Sequence, residues 1–386
     1  MRAIIAHDDS VDTAEAVSAV LADCERQLAG EWPRGALLFT TTEYQHEFVL
    51  RAIQDRWPGL PLIGSTTDGE ISSRLGYRDD SICLTLLVGD ELEIVTGHGT
   101  DSSLDVEAAL DRALAPLDGR RPALCMALCV GTSGNPGALV AALHERLKLL
   151  NCPIVGGLSG DHAVARSTLQ FFGAEACHDS VALMFVCGDV HASWGAASGW
   201  FPIGIKHRIT RSSANRVFEI DGKPALEMYQ SFWGEHAITH LGEFPLAVSD
   251  ASGDGSFYLR AAVTCNAAEG SVDFAGDLPV DSLVQLTEVV PAGLLSGSES
   301  SIRIAAANFT GAVPSIALMF SCAARKWVLG SRAKEEIGLL LRSFDELSLP
   351  RVDLAGFYAF GEICPLSKDG PPMLHNQTCV TVLIGK

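Results

Sequence analysis

Polar side chains near the end of the chain have the chemistry of a binding site or of an acid–base pair. Tyr358, Gly361 and Glu362 lie in the segment LAGFYAFGEI, and His375 and Asn376 lie in LHNQT. A carboxyl group and an imidazole within reach of each other can transfer a proton, or they can orient a polar ligand together with an amide and a phenol. We expect both segments to meet at one sheet edge, where these residues would converge.

A structural role for the same residues stays open. His375 and Asn376 are also suited to capping a strand, and Glu362 can satisfy backbone N–H groups at a tight strand exit. The neighbouring Gly361 permits a positive φ and a close approach of the backbone to a ligand. The residue types alone therefore fit both a ligand site and a strand end.

Two histidines form a second candidate site. His236 and His240 are four residues apart in GEHAITH, which on a helix places both imidazoles on one face, as in some metal sites. No glutamate follows His236 directly, so the zinc-protease pattern H-E-x-x-H is absent. A haem iron needs only one histidine and an apolar pocket, and Phe232 and Trp233 could wall a porphyrin.

The acid in the first candidate site belongs to a pattern that occurs three times. PLIGSTTDGEI is followed by DDSICLTLLVGD, PIVGGLSGDHA by HDSVALMFVCGD, and LAGFYAFGEI by HNQTCVTVLIGK. Each loop sets an acid after a glycine, at Gly69–Glu70, Gly160–Asp161 and Gly361–Glu362. A repeat of this length predicts a scaffold of equivalent units rather than one catalytic motif.

Each copy also contains the elements that would position such a loop. An apolar strand and a helical pattern precede the loop, and two strands follow it. In the first copy these last strands are Ile82–Val88 and Leu92–Thr96, joined by a hairpin-type turn at Gly89–Asp90. The pattern predicts an α/β (mixed α+β) fold of helix-covered mixed sheets, built from repeated β-α-β-β-β units in two pseudo-repeat halves.

The repeats also suggest a domain organisation. Apolar residues at helical spacing predict a first helix over Thr13–Leu28, with Asp12 as its N-cap. Gly, Pro and basic residues interrupt the pattern around residues 199–216. We therefore predict a first domain over 1–210 with two repeats, and a second over 211–386 with one degenerate and one clear repeat.

Composition excludes several classes of protein. A net charge of −19, from 28 basic and 47 acidic residues, argues against binding to nucleic acid, which needs clustered Lys and Arg. No apolar run is long enough to span a membrane, and the first residues do not resemble a signal peptide. The 11 cysteines lie mostly in apolar runs, which suggests reduced core residues. We expect a cytoplasmic protein with no membrane association.

These segments together resemble the FIST family over almost the whole chain. PLIGSTTDGEI and PIVGGLSGD resemble its N-terminal domain, and FPLAV, LAGFYAFGEI and LHNQTCVTVL its C-terminal domain. The resemblance implies a sensory domain for small ligands such as amino acids. A subset of stand-alone members bind haem b, sense nitric oxide and regulate a separate histidine kinase, and we expect this chain to signal through such a separate partner.

Three functional hypotheses follow. The first is a haem-based nitric-oxide sensor that uses one of the histidines named above. The second is a haem-free sensor in which Tyr358, Glu362 and Asn376 hold an amino-acid-like ligand. The third is an enzyme that uses Glu362 and His375 as acid and base. The sequence has no G-x-S-x-G elbow, no metal cluster and no cofactor motif, so a binding protein is favoured over an enzyme.

Overall fold

The structure is a computed structural model that describes residues 1–162, 167–234, 241–249, 257–347, 349–350, 352–368 and 370–386. It has the mixed α+β architecture that the sequence predicts. None of the helices in these ranges is long and apolar enough to cross a membrane. The α-helices are α1 Thr13–Leu28, α2 His46–Arg56, α3 Val106–Leu114, α4 Pro136–Leu147, α5 Ala225–Trp233, α6 Pro291–Asn308, α7 Ala323–Leu329 and α8 Ala333–Glu346.

The strands fall into two groups along the chain. Those of the repeats are β1 Arg2–Asp8, β2 Gly35–Thr40, β3 Leu62–Thr66, β4 Glu70–Ser72, β5 Gly76–Arg78, β6 Ile82–Val88, β7 Glu93–Thr100, β8 Leu124–Cys129, β9 Ile154–Leu158, β10 Gln170–Phe172, β11 Glu175–Cys177, β12 Ser180–Cys187, β13 His191–Ala197, β22 Pro314–Cys322, β23 Asp353–Ala359, β24 Glu362–Pro365, β25 Pro372–His375 and β26 Cys379–Gly385. Between β13 and β22 lie β14 Phe201–Ser213, β15 Arg216–Ile220, β16 Lys223–Pro224, β17 Leu246–Ser249, β18 Tyr258–Arg260, β19 Ala262–Asn266, β20 Ser271–Phe274 and β21 Leu283–Glu288.

The first helix shows how local sequence sets an element. Asp12 has extended φ and ψ, and its carboxylate accepts a hydrogen bond of 3.0 Å from the Glu15 backbone N–H, as expected of an N-cap. Val17, Val20 and Leu28 are buried along one stripe. The helix covers Thr13–Leu28, as the apolar spacing predicts.

Three six-stranded sheets share one strand order. The first is β1-β6-β2-β3-β10-β11, the second β7-β12-β8-β9-β24-β25, and the third β13-β26-β22-β23-β4-β5. In each sheet only the two middle strands that are joined by a helix, such as β2 and β3, run parallel. We call the three chain segments that carry these strands the first, second and third unit.

Each unit contains a short hairpin that pairs with the sheet of another unit. The β4–β5 hairpin of the first unit pairs with β23 of the third, β10–β11 of the second with β3 of the first, and β24–β25 of the third with β9 of the second. The exchange runs around the three units and closes on itself. Each sheet is therefore completed by a segment from a different part of the chain.

The strands that begin the second and third units pair differently from the sequence prediction. The strand after Gly89 does not form a hairpin with β6, because β7 pairs with β12 from Glu93↔Cys187 to Thr100↔Ser180. The strand after Gly188 likewise pairs with β26 in the third sheet. The turns at Gly89–Asp90 and Gly188–Asp189 thus carry the chain from one sheet to the next.

An additional sheet is inserted into the third unit. The strands of residues 199–290 form an eight-stranded sheet in the order β18-β17-β21-β14-β15-β20-β19, with β16 paired to β15. All the pairings described for this sheet are antiparallel, so its pattern differs from that of the three units. The boundary predicted at residue 210 falls within β14. We refer to this region as the inserted sheet.

The three sheets share one apolar core. Leu37 and Phe39 from β2, Met126 from β8, and Leu318 and Phe320 from β22 are buried in the same cluster. A buried side chain of this size stabilises the fold by about 1.5–3 kcal/mol. Helices cover the outer faces, with α1 and α2 on the first sheet, α3 and α4 on the second, and α6 and α8 on the third.

The repeated strand glycine is needed where the sheets cross. A Cβ atom on Gly64 would lie 2.2 Å from the Leu38 carbonyl oxygen, and one on Gly356 would lie 1.9 Å from that of Met319. Gly156 has the same relation to the Ala127 carbonyl, at 2.0 Å. These distances are far below van der Waals contact, so the glycine is required by packing rather than by a ligand.

Candidate ligand-binding site

Strand register identifies the equivalent residues of the three units. The hairpins cross beside the repeated glycine, where Ile71 pairs with Gly356 and Ile363 pairs with Gly156. The residues just before these crossings are Glu70 and Glu362, and in the second unit the register gives Gln170 rather than Asp161. The loop of the second unit is longer, and this shifts the hairpin strand away from the acid that the motif predicted.

In the first unit the glutamate has hydrogen-bond partners on both oxygens. Glu70 is fully buried, and Oε2 accepts a hydrogen bond of 2.6 Å from Ser81 Oγ while Oε1 accepts one from Thr67 Oγ1. His7 Nε2 lies 2.7 Å from the same Ser81 hydroxyl. Burial raises the pKa of Glu70 to about 8, against the opposing effect of the two hydroxyl groups. The carboxyl group is therefore neutral at pH 7, and its own O–H then donates in one of these two contacts.

In the second unit a neutral amide occupies the same position. Gln170 Nε2 donates to Ser159 Oγ at 2.8 Å, and its Oε1 accepts from the Ser180 backbone N–H at 3.0 Å and hydroxyl at 2.9 Å. Ser159 and Ser180 correspond to Thr67 and Ser81 of the first unit. The Gln170 amide is thus hydrogen-bonded to hydroxyl groups at the same two positions as the Glu70 carboxyl group.

In the third unit one of these partners is missing. Glu362 Oε2 accepts hydrogen bonds from the Thr378 backbone N–H at 3.1 Å and from its hydroxyl. The residue that corresponds to Thr67 and Ser159 is Ala359, which has no hydroxyl. Glu362 Oε1 is buried and has no hydrogen bond from a described nitrogen or oxygen atom. Burial raises the pKa of Glu362 to about 8, although the nearby Cys322 thiol acts to lower the pKa of the carboxyl group.

The predicted His375 and Asn376 lie beside this carboxyl group. Glu362 and His375 are directly opposite in the β24–β25 pair, but the His375 Nε2 atom is 2.9 Å from the Cys364 carbonyl oxygen. Burial lowers the pKa of His375 to about 4, so the imidazole is neutral at pH 7. Asn376 Nδ2 donates to the His375 carbonyl at 3.0 Å, and Gly361 contributes a carbonyl to the sheet crossing.

Tyr358 lies apart from these residues. Its hydroxyl group donates to Glu336 on α8, and Glu336 is also paired with Arg325 of α7 at 2.6 Å. All three side chains are buried. Successive side chains alternate between the faces of a strand, and Tyr358 lies on the helix-covered face of the third sheet. The structure therefore brings Gly361, Glu362, His375 and Asn376 together and places Tyr358 in a separate polar network.

Two further polar residues, Gln377 and Arg260, lie near Asn376 and His375 but belong to none of the sequence motifs. Gln377 has φ of 62° and donates from Nε2 to the Gly242 carbonyl, while its buried Oε1 has no partner among the described residues. Arg260 of β18 is buried and donates to the carbonyl groups of Leu374 and Leu259, each at 3.1 Å. Gln377 was detectable as the neighbour of Asn376, whereas Arg260 reaches the site only through the pairing of the inserted sheet.

We call Arg260, Glu362, His375, Asn376 and Gln377 the junction site, because they lie where the inserted sheet meets the third unit. The Arg260 guanidinium forms no ion pair with a carboxylate in the described ranges. Burial lowers the pKa of Arg260, although guanidinium stays charged at any physiological pH. The site thus holds one buried cation without an ion-pair partner and two oxygen atoms without a hydrogen bond from a described nitrogen or oxygen atom.

A charged pair lies at the same end of the third sheet. Lys326 of α7 donates to the Asp68 carbonyl at 2.6 Å, and its Nζ is 3.0 Å from Asp68 Oδ2. Asp68 is buried, which raises the pKa of its carboxyl group, although Lys326 opposes the effect. The Asp68 backbone N–H donates to the Tyr358 carbonyl at 2.9 Å, so this pair is fixed to the crossing of the first and third units.

At least four of the nine described histidines have an Nε2 atom that is hydrogen-bonded to the protein or buried within it. The Nε2 atoms of His7, His46 and His375 are each within 2.9 Å of a protein oxygen, and His98 Nε2 is buried against the stacked ring of Phe172. Two clefts of about 250 and 470 Å³ have no histidine in their walls. His236 and His240, the candidate iron ligands, lie outside the described residues.

Two family models match the chain in succession. The FIST N domain matches residues 35–223 and the FIST C domain matches residues 225–365. The chain belongs to the FIST family. FIST domains are sensor domains of signal transduction that bind small ligands.

The relatives of this FIST protein are distant. Uncharacterised proteins of Mycobacterium bovis and Mycobacterium tuberculosis are each 26% identical over 196 residues, which cover 48% of this chain and 49% of theirs. An uncharacterised protein of Methanocaldococcus jannaschii is 29% identical over 87 residues, 22% of this chain and 17% of that protein. The chain thus spans half or less of the length of these relatives. A PurLQS structure from Thermotoga maritima aligns with 100% of this chain and 73% of its own, at 10% identity and a TM-score of 0.22.

The two FIST matches divide the junction site. The FIST C match contains Arg260 and Glu362 but ends at residue 365, before His375, Asn376 and Gln377. The boundary between the two matches falls at β16, within the inserted sheet.

Proposed function

We propose that this FIST protein is a sensor that binds a small polar molecule at the junction site and regulates a separate signalling partner. The observation that carries the proposal is the difference between the three units. The first and second units satisfy both ends of Glu70 and Gln170 with hydroxyl groups, and the third leaves Glu362 Oε1 without one. A buried polar atom without a partner costs about 1–3 kcal/mol, and a bound ligand would recover it.

The polar groups indicate the chemistry of the ligand. Gln377 Oε1 can accept a hydrogen bond from an ammonium or amide group. Glu362 Oε1 can do so when the carboxyl group ionises, which a bound ammonium group favours. The Arg260 guanidinium lacks a carboxylate partner among the described residues and favours a carboxylate on the ligand, by charge-assisted hydrogen bonding. A molecule with both groups is amino-acid-like. This supports the haem-free form of the sensor.

The family resemblance also implies a haem-based nitric-oxide sensor that acts on a histidine kinase. We base the proposal on the junction site because its unpartnered oxygen atoms lie on described residues, whereas His236 and His240 lie outside them. An absorption spectrum of protein purified with haem supplied tests the alternative. A stoichiometric Soret band that shifts with nitric oxide, and is lost in His236→Ala or His240→Ala, would replace the amino-acid proposal with the haem one.

Thermal-shift measurements with single amino acids test the junction site. A ligand at about 100 times its Kd stabilises the folded protein by ~2.7 kcal/mol, which raises Tm. We expect at least one amino acid to raise the Tm of the natural protein. Glu362→Gln replaces the neutral carboxyl group by an amide of nearly the same shape. A bound ammonium group would favour the ionised form of Glu362, and glutamine cannot ionise. We expect the ligand-induced rise to be lost in this variant.

Glu70→Gln is the matched control. It makes the same change in an equally buried glutamate whose two oxygens are already satisfied. We expect it to keep the ligand-induced rise. Ala359→Ser adds the missing hydroxyl beside Glu362 and should weaken the ligand by competing for Oε1. Equal loss in Glu70→Gln, or an unchanged rise in Glu362→Gln, would rule out the junction site.

A further inference from the structure

A groove runs between two helices on the outer face of the third sheet. Its walls come from Leu295 and Glu299 of α6 and from Lys334, Leu339 and Arg342 of α8, and its volume is about 470 Å³. Lys334 and Arg342 of α8 are eight residues apart in sequence, which corresponds to about 12 Å or two helical turns. A Cβ added at Gly338 would meet only the Arg342 side chain, at 3.5 Å, so the floor of the groove is open.

The helices that form the groove are held together from beneath. Arg325 Nη2 donates to Ser298 Oγ of α6 and to Glu336 Oε1 of α8, both at 2.6 Å. Ser298 Oγ also donates to Glu336 Oε1. A buried ion pair with several hydrogen bonds fixes its geometry, because removing one partner leaves an unpaired buried charge. The groove is therefore preformed, which lowers the entropic cost of binding.

The charges at the rim of the groove are unbalanced. Arg332 is paired with Glu335 at 2.9 Å, and Glu299 is paired with Arg303 at 2.7 Å. Within the described ranges, Lys334 and Arg342 form no ion pair with a carboxylate. The walls hold three basic and two acidic side chains, so the groove is net positive on a protein whose net charge is −19.

We propose that this groove binds an acidic amphipathic helix of a partner protein. Apolar side chains of that helix would lie between α6 and α8 and contact Leu295 and Leu339. Carboxylates about two turns apart on its flank would pair with Lys334 and Arg342. The inference goes beyond the proposed function, because this docking depends on neither the junction site nor its ligand.

Fluorescence anisotropy with a designed peptide tests the docking site. The probe is a labelled amphipathic helix of about five turns, with leucines at helical spacing and two glutamates about two turns apart. We expect it to bind the full chain without any added ligand, although the protein is strongly acidic. Lys334→Glu combined with Arg342→Glu should weaken it about tenfold or more. The same peptide with lysines in place of the glutamates should bind the double variant better than the natural protein.

The control is Lys206→Glu, which reverses an exposed cation that forms no ion pair with a described carboxylate and lies on the inserted sheet. We expect it to leave peptide affinity unchanged. No binding of the acidic peptide, equal binding of its lysine version to the natural protein, or an equal loss in Lys206→Glu would each overturn the proposal. So would dimerisation of the chain that the double variant abolishes, because the occupant would then be a second copy.

Discussion

Burial raises the pKa of two glutamates and lowers the pKa of two histidines. Glu70 and Glu362 have pKa values of about 8, and His7 and His375 have values of about 4, with burial as the largest cause in each case. The four groups are consequently neutral at pH 7. A buried charge without a partner is far more costly than a buried neutral group, so the fold keeps the form that needs less solvation.

These shifts predict how stability depends on pH. Unfolded glutamate has a pKa of about 4.3 and unfolded histidine about 6.5. Between these values the glutamates favour folding at lower pH and the histidines at higher pH, so the effects oppose each other. From about pH 6.5 to 8, the glutamates are the members of this set of four that hold extra protons in the folded state. Their contribution to stability should therefore fall as pH rises, by about 1.4 kcal/mol per pH unit for each carboxyl group.

Urea denaturation from pH 6 to 9 measures this slope. Glu70→Gln and Glu362→Gln should each remove about half of it, because glutamine does not titrate. Gln170 already occupies the same position in the second unit, so the fold accepts an amide there. A slope that persists unchanged in both variants would show that these carboxyl groups are already ionised at pH 7.

At the level of single residues, the sequence predicted some of the residues that we place in the proposed site. Gly361 and Glu362 follow from the repeat because they come shortly after the apolar strand β23, and His375 and Asn376 lie at the end of β25. Asp161 was matched to Glu362 by its glycine, but the longer loop places Gln170 at the equivalent position. Arg260 had no sequence signal, since its approach to Leu374 depends on contacts between distant strands.

At the level of elements, the exchanged hairpins determine which strands pair at the end of each sheet. The strand that receives each hairpin carries the repeated glycine, whose Cα lies against a neighbouring carbonyl group. The sequence predicted the strands and helices well, since their apolar periodicity is local. It placed β7 with β6 because a turn between two strands is typical of a hairpin, and it could not reveal that the pairing partner, β12, lies about ninety residues further on.

Alanine substitution at glycine tests this packing. Gly356→Ala puts a Cβ 1.9 Å from the Met319 carbonyl, and we expect a loss of about 3 kcal/mol or more in the free energy of unfolding. Gly338→Ala, in the open part of α8, should instead stabilise by about 0.5–1 kcal/mol. Chemical denaturation of both variants provides the measurement, and a neutral Gly356→Ala would contradict the crossing geometry.

At the level of the whole molecule, the three units complete one another. The central core draws residues from all three sheets, and Phe357 of the third contacts Phe39 of the first at 4.6 Å between ring centroids. Sequence revealed the three copies, because the repeat is visible in the residues. It could not reveal the exchange, since three similar hairpins offer three similar sets of strand pairings.

We expect the three units to unfold in one cooperative transition. Trp57 reports on the first unit and Trp194 on the third, and both are buried. Variants that keep only one of these tryptophans should give the same urea midpoint by fluorescence. Adding Gly356→Ala in the third unit should lower the Trp57 midpoint as much as that of Trp194. Separate midpoints would show that the units fold independently.

The circular exchange of hairpins has the symmetry of a closed ring of subunits. Each unit donates to one neighbour and receives from the other, which in separate chains would be a head-to-tail contact that closes after three copies. A single chain has therefore adopted the arrangement of a domain-swapped homotrimer. Once the three copies are covalently joined they are free to diverge, and one copy can lose a hydroxyl group and acquire an extra sheet while the other two maintain the ring.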